Sequence, residues 1–490
     1  MKRIFCLLLC MAMMVTLLAG CGGGEEKTAE GGITLRWYAR INKEADCDEV
    51  FEKASAMVKE NLGFNIDIIP LEDYNTKMPV ITASGEDYDI VYTASTVNNY
   101  YQNASDGNFL QLDELLPEFA PTLWNEVEES VWDSVRAGDG KIYGVPNQQI
   151  FARAPGFMIP TQNIEALGLD VEAMKNWKMA DYEEYFRLIK EKTGEYAYFA
   201  HAWGADGAQR EGFQVILGSN LPGAIRYNEE TDNIEVVNQY DTEEFRNYVN
   251  LRAKWVNEGL VAPMETSESD ISKYATPKNG VIPWLITMAT YLPGCEASFK
   301  ASNGIDVTVV TKSDALLTSY GTTATMAAVN ADTRYPEESV KFLEFLNTNA
   351  EFYNLITYGI EGKHYTKIDD KYIQKSTENP YSQPNWAIGN TFNGYLLEGQ
   401  PETLAEDTKK INSEAKRSPI LGFVPEQDSL KVEIANCKAV LEEYLDIVEQ
   451  GIVEMESTYP VFLEKLKAAG ADKIVESLNK QLDEWEAKNK

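Results

Sequence analysis

The residues best suited to chemistry in this chain are aromatic rings set beside amides. The run Asn385-Trp386-Ala387-Ile388-Gly389-Asn390-Thr391-Phe392-Asn393-Gly394-Tyr395 holds three asparagines and three aromatics. Trp and Tyr pair an apolar face with a polar handle, and an amide both donates and accepts. A sugar ring calls for that combination, a C–H face to stack and a rim of hydroxyls to bond. Trp386, Asn385 and Tyr395 are therefore candidate ligand contacts, while Asn390 is either a contact or a helix cap. Trp203, within His201-Ala202-Trp203-Gly204-Ala205-Asp206-Gly207, reads as a ring on a loop of small residues. It is either a ligand contact or core, and His201 beside it reads as a structural hydrogen-bonder. Trp284 follows a strand-like run and carries the same two readings.

Covalent and metal chemistry find little support. Two histidines exclude a His-rich metal centre, and there is no His-Glu-x-x-His, Gly-x-Ser-x-Gly or Walker-type run. Asp106-Gly107-Asn108 resembles a fragment of a calcium loop without its downstream ligands. No metal and no cofactor are expected. The 77 acidic residues leave a carboxylate pair for glycoside hydrolysis open. A formal charge of −33 repels nucleic acid and anionic lipid, so a nucleic-acid role is excluded. A surface adhesin or sensor partner is a further class, and it predicts macromolecular binding.

The start of the chain carries a different chemistry. Lys2 and Arg3 precede an apolar run from Ile4 to Leu18, then Leu18-Ala19-Gly20-Cys21 and Gly22-Gly23-Gly24. A basic start, a short apolar core and small residues at its end make a secretory signal over 1–20, too short for a ~20-residue spanning helix. Cys21 resembles the lipidated cysteine of the bacterial lipobox, where the thiol takes a diacylglycerol and the new amino group is often acylated. Residues 21–32 then read as a flexible tether on the outer face of the membrane. Cys6 and Cys10 leave with the signal; Cys47, Cys295 and Cys437 are an odd, widely spaced set, which leaves one bridge or three buried thiols open.

Periodicity supplies the elements that must position the rings. Residues 33–38, 64–69 and 88–92 read as strands, with helices over 46–61 and 74–83 between them, so a mostly parallel sheet of βαβ units is expected. In such sheets ligand loops follow strand ends, which makes Arg40 and Tyr92 candidates. Arg40 is placed to pair with a charged ligand or with an acidic neighbour. A second block after Pro146 shows helical spacing near 181–192, 208–217 and 241–258 and little strand; strands return at 306–311 and 323–329, with a helix from Pro336 to Leu346. Residues 430–488 are amphipathic helix, read as packing rather than a partner zipper.

Taken in order, several stretches resemble the family-1 extracellular solute-binding proteins, the lipoprotein components of bacterial ABC importers. They are Ile33-Thr34-Leu35-Arg36-Trp37, Ala83-Ser84-Gly85-Glu86-Asp87-Tyr88-Asp89-Ile90, Gly140-Lys141-Ile142-Tyr143-Gly144-Val145-Pro146, Asn163-Ile164-Glu165-Ala166-Leu167-Gly168-Leu169 and Pro336-Glu337-Glu338-Ser339-Val340-Lys341-Phe342-Leu343. Tyr358-Gly359-Ile360-Glu361-Gly362-Lys363-His364-Tyr365 and the helical tail resemble the LplA-like subgroup with a DUF3502-type C-terminal region. The resemblance implies an α/β, two-lobed periplasmic-binding-protein-like fold with a multi-crossing hinge and a helical C-terminal extension. It places lobe 1 at 33–148 with a return segment at 303–335, and lobe 2 at 149–302 with 336–429. The C-terminal region is 430–490, and crossings fall near 147–152, 285–305 and 330–355. Gly280-Val281-Ile282-Pro283-Trp284 stands where maltose-type binders carry a Gly-Pro-Trp turn with a sugar-stacking Trp. Tyr358 and Glu361 are either ligand contacts or a hinge or lobe contact. The implied function is capture of a solute, an oligosaccharide first, by lobe closure and its delivery to the permease transmembrane subunits. A monomer is expected. A peptide or other small polar solute, or a lipid-anchored glycoside hydrolase, is the alternative.

Overall fold

The computed structural model describes residues 32–200, 211–217, 220–228, 231, 233–263, 274–288 and 290–489. Cys21, His201 and Trp203 lie outside them. Two sheets organise the chain, and their nine strands are numbered here in chain order: β1 Thr34–Ala39, β2 Asn65–Pro70, β3 Ile90–Thr93, β4 Gly144–Pro146, β5 Gly156–Pro160, β6 Tyr198–Ala200, β7 Trp284–Met288, β8 Val307–Thr311 and β9 Met326–Val329.

The first sheet runs β2-β1-β3-β9-β4. β1 pairs in parallel with β2 and β3, and β9 lies antiparallel between β3 and β4. The helix Cys47–Leu62 crosses from β1 to β2 and buries Cys47, Val50, Ala54 and Val58, a helical spacing. Gly63 ends it at φ 85°, and its N–H donates to the Lys59 carbonyl.

The second sheet runs β8-β5-β7-β6. Here the chain departs from expectation. Residues 307–311 pair with β5 in this sheet rather than returning to the first. The helices Pro336–Thr348 and Ala350–Tyr358 pack into the core of the first lobe, not the second. Phe213–Val215 is a strand, with Phe213 and Val215 buried and Gln214 between them, a period of two where a helix was expected. It joins Ala224–Asn228 and Asn233–Val237 in a small antiparallel sheet, so the second lobe is richer in strand than its sequence suggests.

The three C-terminal helices, Lys431–Glu449, Met455–Ala469 and Ala471–Asn489, share the second lobe's core through Leu441, Leu445, Phe462, Leu466, Leu478 and Leu482. The Tyr459 hydroxyl donates to the Tyr240 carbonyl at 2.6 Å, and Asn479 bonds both backbone groups of Val236. This region is therefore a built-in part of lobe 2. Cys47, Cys295 and Cys437 are all free thiols.

Three segments cross between the sheets: 147–155, 312–325 and the stretch reaching Arg417. The crossings expected at 285–305 and 330–355 are instead lobe interior, since β7 is central to its sheet and the 336–358 helices are core. Arg153 and Leu316 exchange both backbone hydrogen bonds, and Leu316-Leu317 pairs in parallel with Lys416-Arg417. Asn412 ties the crossings together. Its Oδ1 accepts from the N–H groups of Phe151 and Ala152 at 2.8 and 3.1 Å, and its Nδ2 donates to the Gln149 carbonyl at 2.7 Å. Asn412→Ala strands two amide donors at the hinge, so a stability loss of about 1–3 kcal/mol is expected in urea unfolding.

Glu183, on the helix Tyr182–Thr193, receives Lys254, Arg187 and the Trp255 indole N–H. Lys254 above all holds its carboxyl down at about 2. A depressed folded pKa gives stability that is full above the unfolded value of about 4.3 and lost as pH falls toward the folded value. Glu183→Gln is expected to lower the thermal midpoint at pH 7 and to converge with wild type near pH 2.

Candidate functional site

The C-terminal edge of the first sheet gathers residues from distant parts of the chain. β1 ends at Ala39 and delivers Arg40; β3 carries Tyr92; the short turn Asn385–Ala387 brings Trp386 over both. The Arg40 guanidinium lies 5.2 Å from the Tyr92 ring centroid and 5.1 Å from that of Trp386. Its Nη1 donates to the Tyr92 hydroxyl at 3.3 Å, and that hydroxyl donates to the Ala324 carbonyl at 3.2 Å. Burial pushes the Tyr92 phenol up in pKa and the Arg40 cation opposes it. Tyr92 is thus a buried back wall, braced edge-to-face by Tyr74 and Trp386.

Trp386 is the exposed member, at 37% of its surface. Its carbonyl accepts from Asn147 and Gln149 of the first crossing, which sets the ring relative to the hinge. Gln149 also reaches the Thr325 hydroxyl. A recess of about 590 Å³ opens here, lined by Arg40, Asn42, Asp73, Tyr74, Asn75 and Trp386 among others. That volume lies within the ~300–1,000 Å³ of small-ligand sites. Farther along the edge, the Arg153 guanidinium sits 4.7 Å from the Tyr320 ring centroid, at the junction with the second lobe. Aromatic faces, fork-like guanidinium donors and side-chain amides make a surface for a hydroxyl-rich ring. Neither Gln149 nor the Arg153–Tyr320 pair is apparent from the sequence; the only hint is that Gln149 falls in the expected crossing at 147–152.

The other candidates separate by position. Trp284 is fully buried; it packs on Phe299 at 5.6 Å and among Tyr198, Ile282 and Val307. It is core, because β7 is a central strand. Asn390 is a cap: its Oδ1 accepts from the Phe392 N–H and its Nδ2 donates to the Asn347 carbonyl. Asn385 is exposed beside Trp386, and its carbonyl accepts from the Tyr353 hydroxyl. Tyr358 is buried, with its hydroxyl on the Tyr395 carbonyl, and Tyr395 carries Lys367 over its ring. Glu361 pairs with Lys367 at 3.2 Å. Tyr358 and Tyr395 thus pack against the small sheet at 365–397 and Glu361 pairs with its Lys367, and nothing places the three in the recess. The neighbouring His364 stacks on Tyr381 and bonds Asp46, fastening this sheet to the loop after β1.

The comparisons with known proteins match this arrangement over nearly the whole chain. Residues 419–487 match DUF3502, a domain of unknown function. A carbohydrate ABC transporter substrate-binding protein of Streptococcus pneumoniae serotype 4 is 28% identical over 488 residues, covering 96% of each chain. The crystal structure of NgtS, an N-glycan transport solute-binding protein of S. pneumoniae, superposes with a TM-score of 0.77 at 25% identity, covering 94% of this chain and all of NgtS. Over nearly its whole length this chain is similar to solute-binding proteins of carbohydrate ABC importers. NgtS in complex with Man5GlcNAc superposes at 0.72, and the alginate-binding protein AlgQ2, at 14% identity, shares the fold at 0.62. A solute-binding protein of this class serves an ABC importer and works outside the cytoplasm. Among the described residues no helix is long and apolar enough to cross a membrane.

Proposed function

We propose that this solute-binding protein captures a neutral oligosaccharide in the cleft edge of Arg40, Tyr92 and Trp386. It hands the sugar unchanged to the transmembrane subunits of its permease, acting as a monomer. Cys21, lipidated, holds it at the membrane through the 22–32 tether; two or more acyl chains anchor stably where one does not. The observation that carries the reading is the half-open Trp386 ring beside an arginine and a hinge-linked amide, on a fold that closes by hinge motion. The relatives named for carbohydrate and N-glycan transport support the same ligand class.

The test is a thermal-shift screen with mannose-containing N-glycan fragments, malto-oligosaccharides and small peptides. A true ligand raises the melting temperature by mass action. A shift with glycans and none with peptides is expected, and mass spectrometry should return the glycan intact. A shift with peptides alone, or a hydrolysed glycan, overturns the proposal.

A further inference from the structure

The region matching a domain of unknown function begins with a strap that faces the first lobe across the cleft. The Ser418 hydroxyl donates to the Gln214 side chain at 2.6 Å, and the Gly422 N–H donates to the Ser319 hydroxyl at 2.9 Å. Beyond these, Gln102 of the first lobe donates to Asp428 at 3.0 Å. Between strap and lobe runs a groove of about 610 Å³, lined by Tyr101, Ser105, Asp139, Tyr143, Glu426 and Asp428 among others. Adjoining the groove, and sharing Tyr101 and Pro425 with it, is a tight crevice of about 40 Å³ where Ser95 and Tyr101 face Gln214, Tyr320, Ile420 and Phe423.

Two features mark the groove as a place for hydroxyl-rich cargo. The Ser95 hydroxyl oxygen is shut off from bulk solvent and has no hydrogen-bond partner among the described residues, and the equally enclosed Tyr101 hydroxyl has the Thr323 side chain beside it. A buried hydroxyl left unpaired is costly, and a ligand hydroxyl would satisfy it. The outer groove adds the Tyr101 and Tyr143 rings and the carboxylates of Asp139, Glu426 and Asp428, acceptors for sugar hydroxyls that disfavour an anionic ligand.

The groove also continues the site already described. The Ser95 N–H donates to the Thr323 carbonyl, and Tyr92 bonds the Ala324 carbonyl next to it. Adjacent residues 323 and 324 of the second crossing therefore link the two places. We propose that the strap Ser418–Asp428 and Tyr101 form a second saccharide subsite, so that the C-terminal region takes part in cargo binding and sets the length of glycan accepted. The inference rests on the oligosaccharide reading above.

The probes are Man5GlcNAc, Man1GlcNAc and maltotetraose, titrated calorimetrically into the full chain. Tyr101→Phe removes only the hydroxyl, and Phe423→Ala removes the inner wall. Each is expected to weaken the tightest of these glycans at least fivefold while circular dichroism stays native. Phe423 touches Trp485, so Tyr101→Phe decides the matter if Phe423→Ala misfolds. Wild-type affinity in Tyr101→Phe, with affinity lost in Trp386→Ala, overturns the subsite and leaves the oligosaccharide reading intact. Binding of no glycan by the wild-type chain overturns both.

Discussion

Trp284→Ala is expected to destabilise the protein by about 3–5 kcal/mol, the range for deleting a buried aromatic. The ring is fully buried against Tyr198, Ile282, Val307 and Phe299, at the centre of the second sheet. Its removal leaves a cavity bordered by the strand residues Tyr198 and Val307, which cannot close in without disturbing the sheet that β7 shares with β5 and β6. Guanidinium unfolding should show a lower midpoint with an unchanged m-value. Glycan affinity, measured on the folded fraction, should stay at the wild-type level. The indole N–H has no hydrogen-bond partner among the described residues, so Trp284→Phe keeps most of the packing, sheds an unsatisfied donor and should cost far less. A Trp284→Ala protein of unchanged stability and lost affinity would restore this residue to the ligand site.

Trp284 also shows what sequence can and cannot convey. β1, β2, β3 and the helix Cys47–Leu62 were legible because their signals are local: alternation, helical spacing and a terminal Gly63. The helices of the C-terminal region were legible for the same reason. Which sheet a strand joins is not a local property. Val307–Thr311 carries the same alternation whether it pairs with β5 or returns to lobe 1, so the hinge crossings were misplaced around it. Phe213–Val215 was misread because its apolar residues fit both periods over a short window.

The site divides in the same way. Strand ends and ring chemistry point to Arg40, Tyr92 and Trp386 only one at a time. Only the fold shows that one guanidinium touches both rings. Tyr101, Tyr320 and the strap carry no sequence signal of their own. Their proposed role rests on the two lobes meeting at Ser95 and Phe423.

Trp386→Ala is expected to weaken glycan binding 10- to 100-fold, about 1.4–2.8 kcal/mol. The estimate follows from burying one large ring face under a sugar, about 1.5–3 kcal/mol. Stability should change by less than about 1 kcal/mol, because the ring is half open and its lost partner is a cation–π contact of that order. This is the reverse of the Trp284 pattern, so the two variants together separate core from contact. Arg40→Lys should give an intermediate loss, since an ammonium cannot lie flat against Tyr92 and Trp386 at once. Wild-type affinity in Trp386→Ala would remove this edge from the cargo path. If Trp386 and Tyr101 hold different rings of one glycan and share no partner, their losses add in the double variant. A Trp386→Ala/Tyr101→Phe protein no weaker than Trp386→Ala alone would mean that the far end of the glycan never reaches the strap.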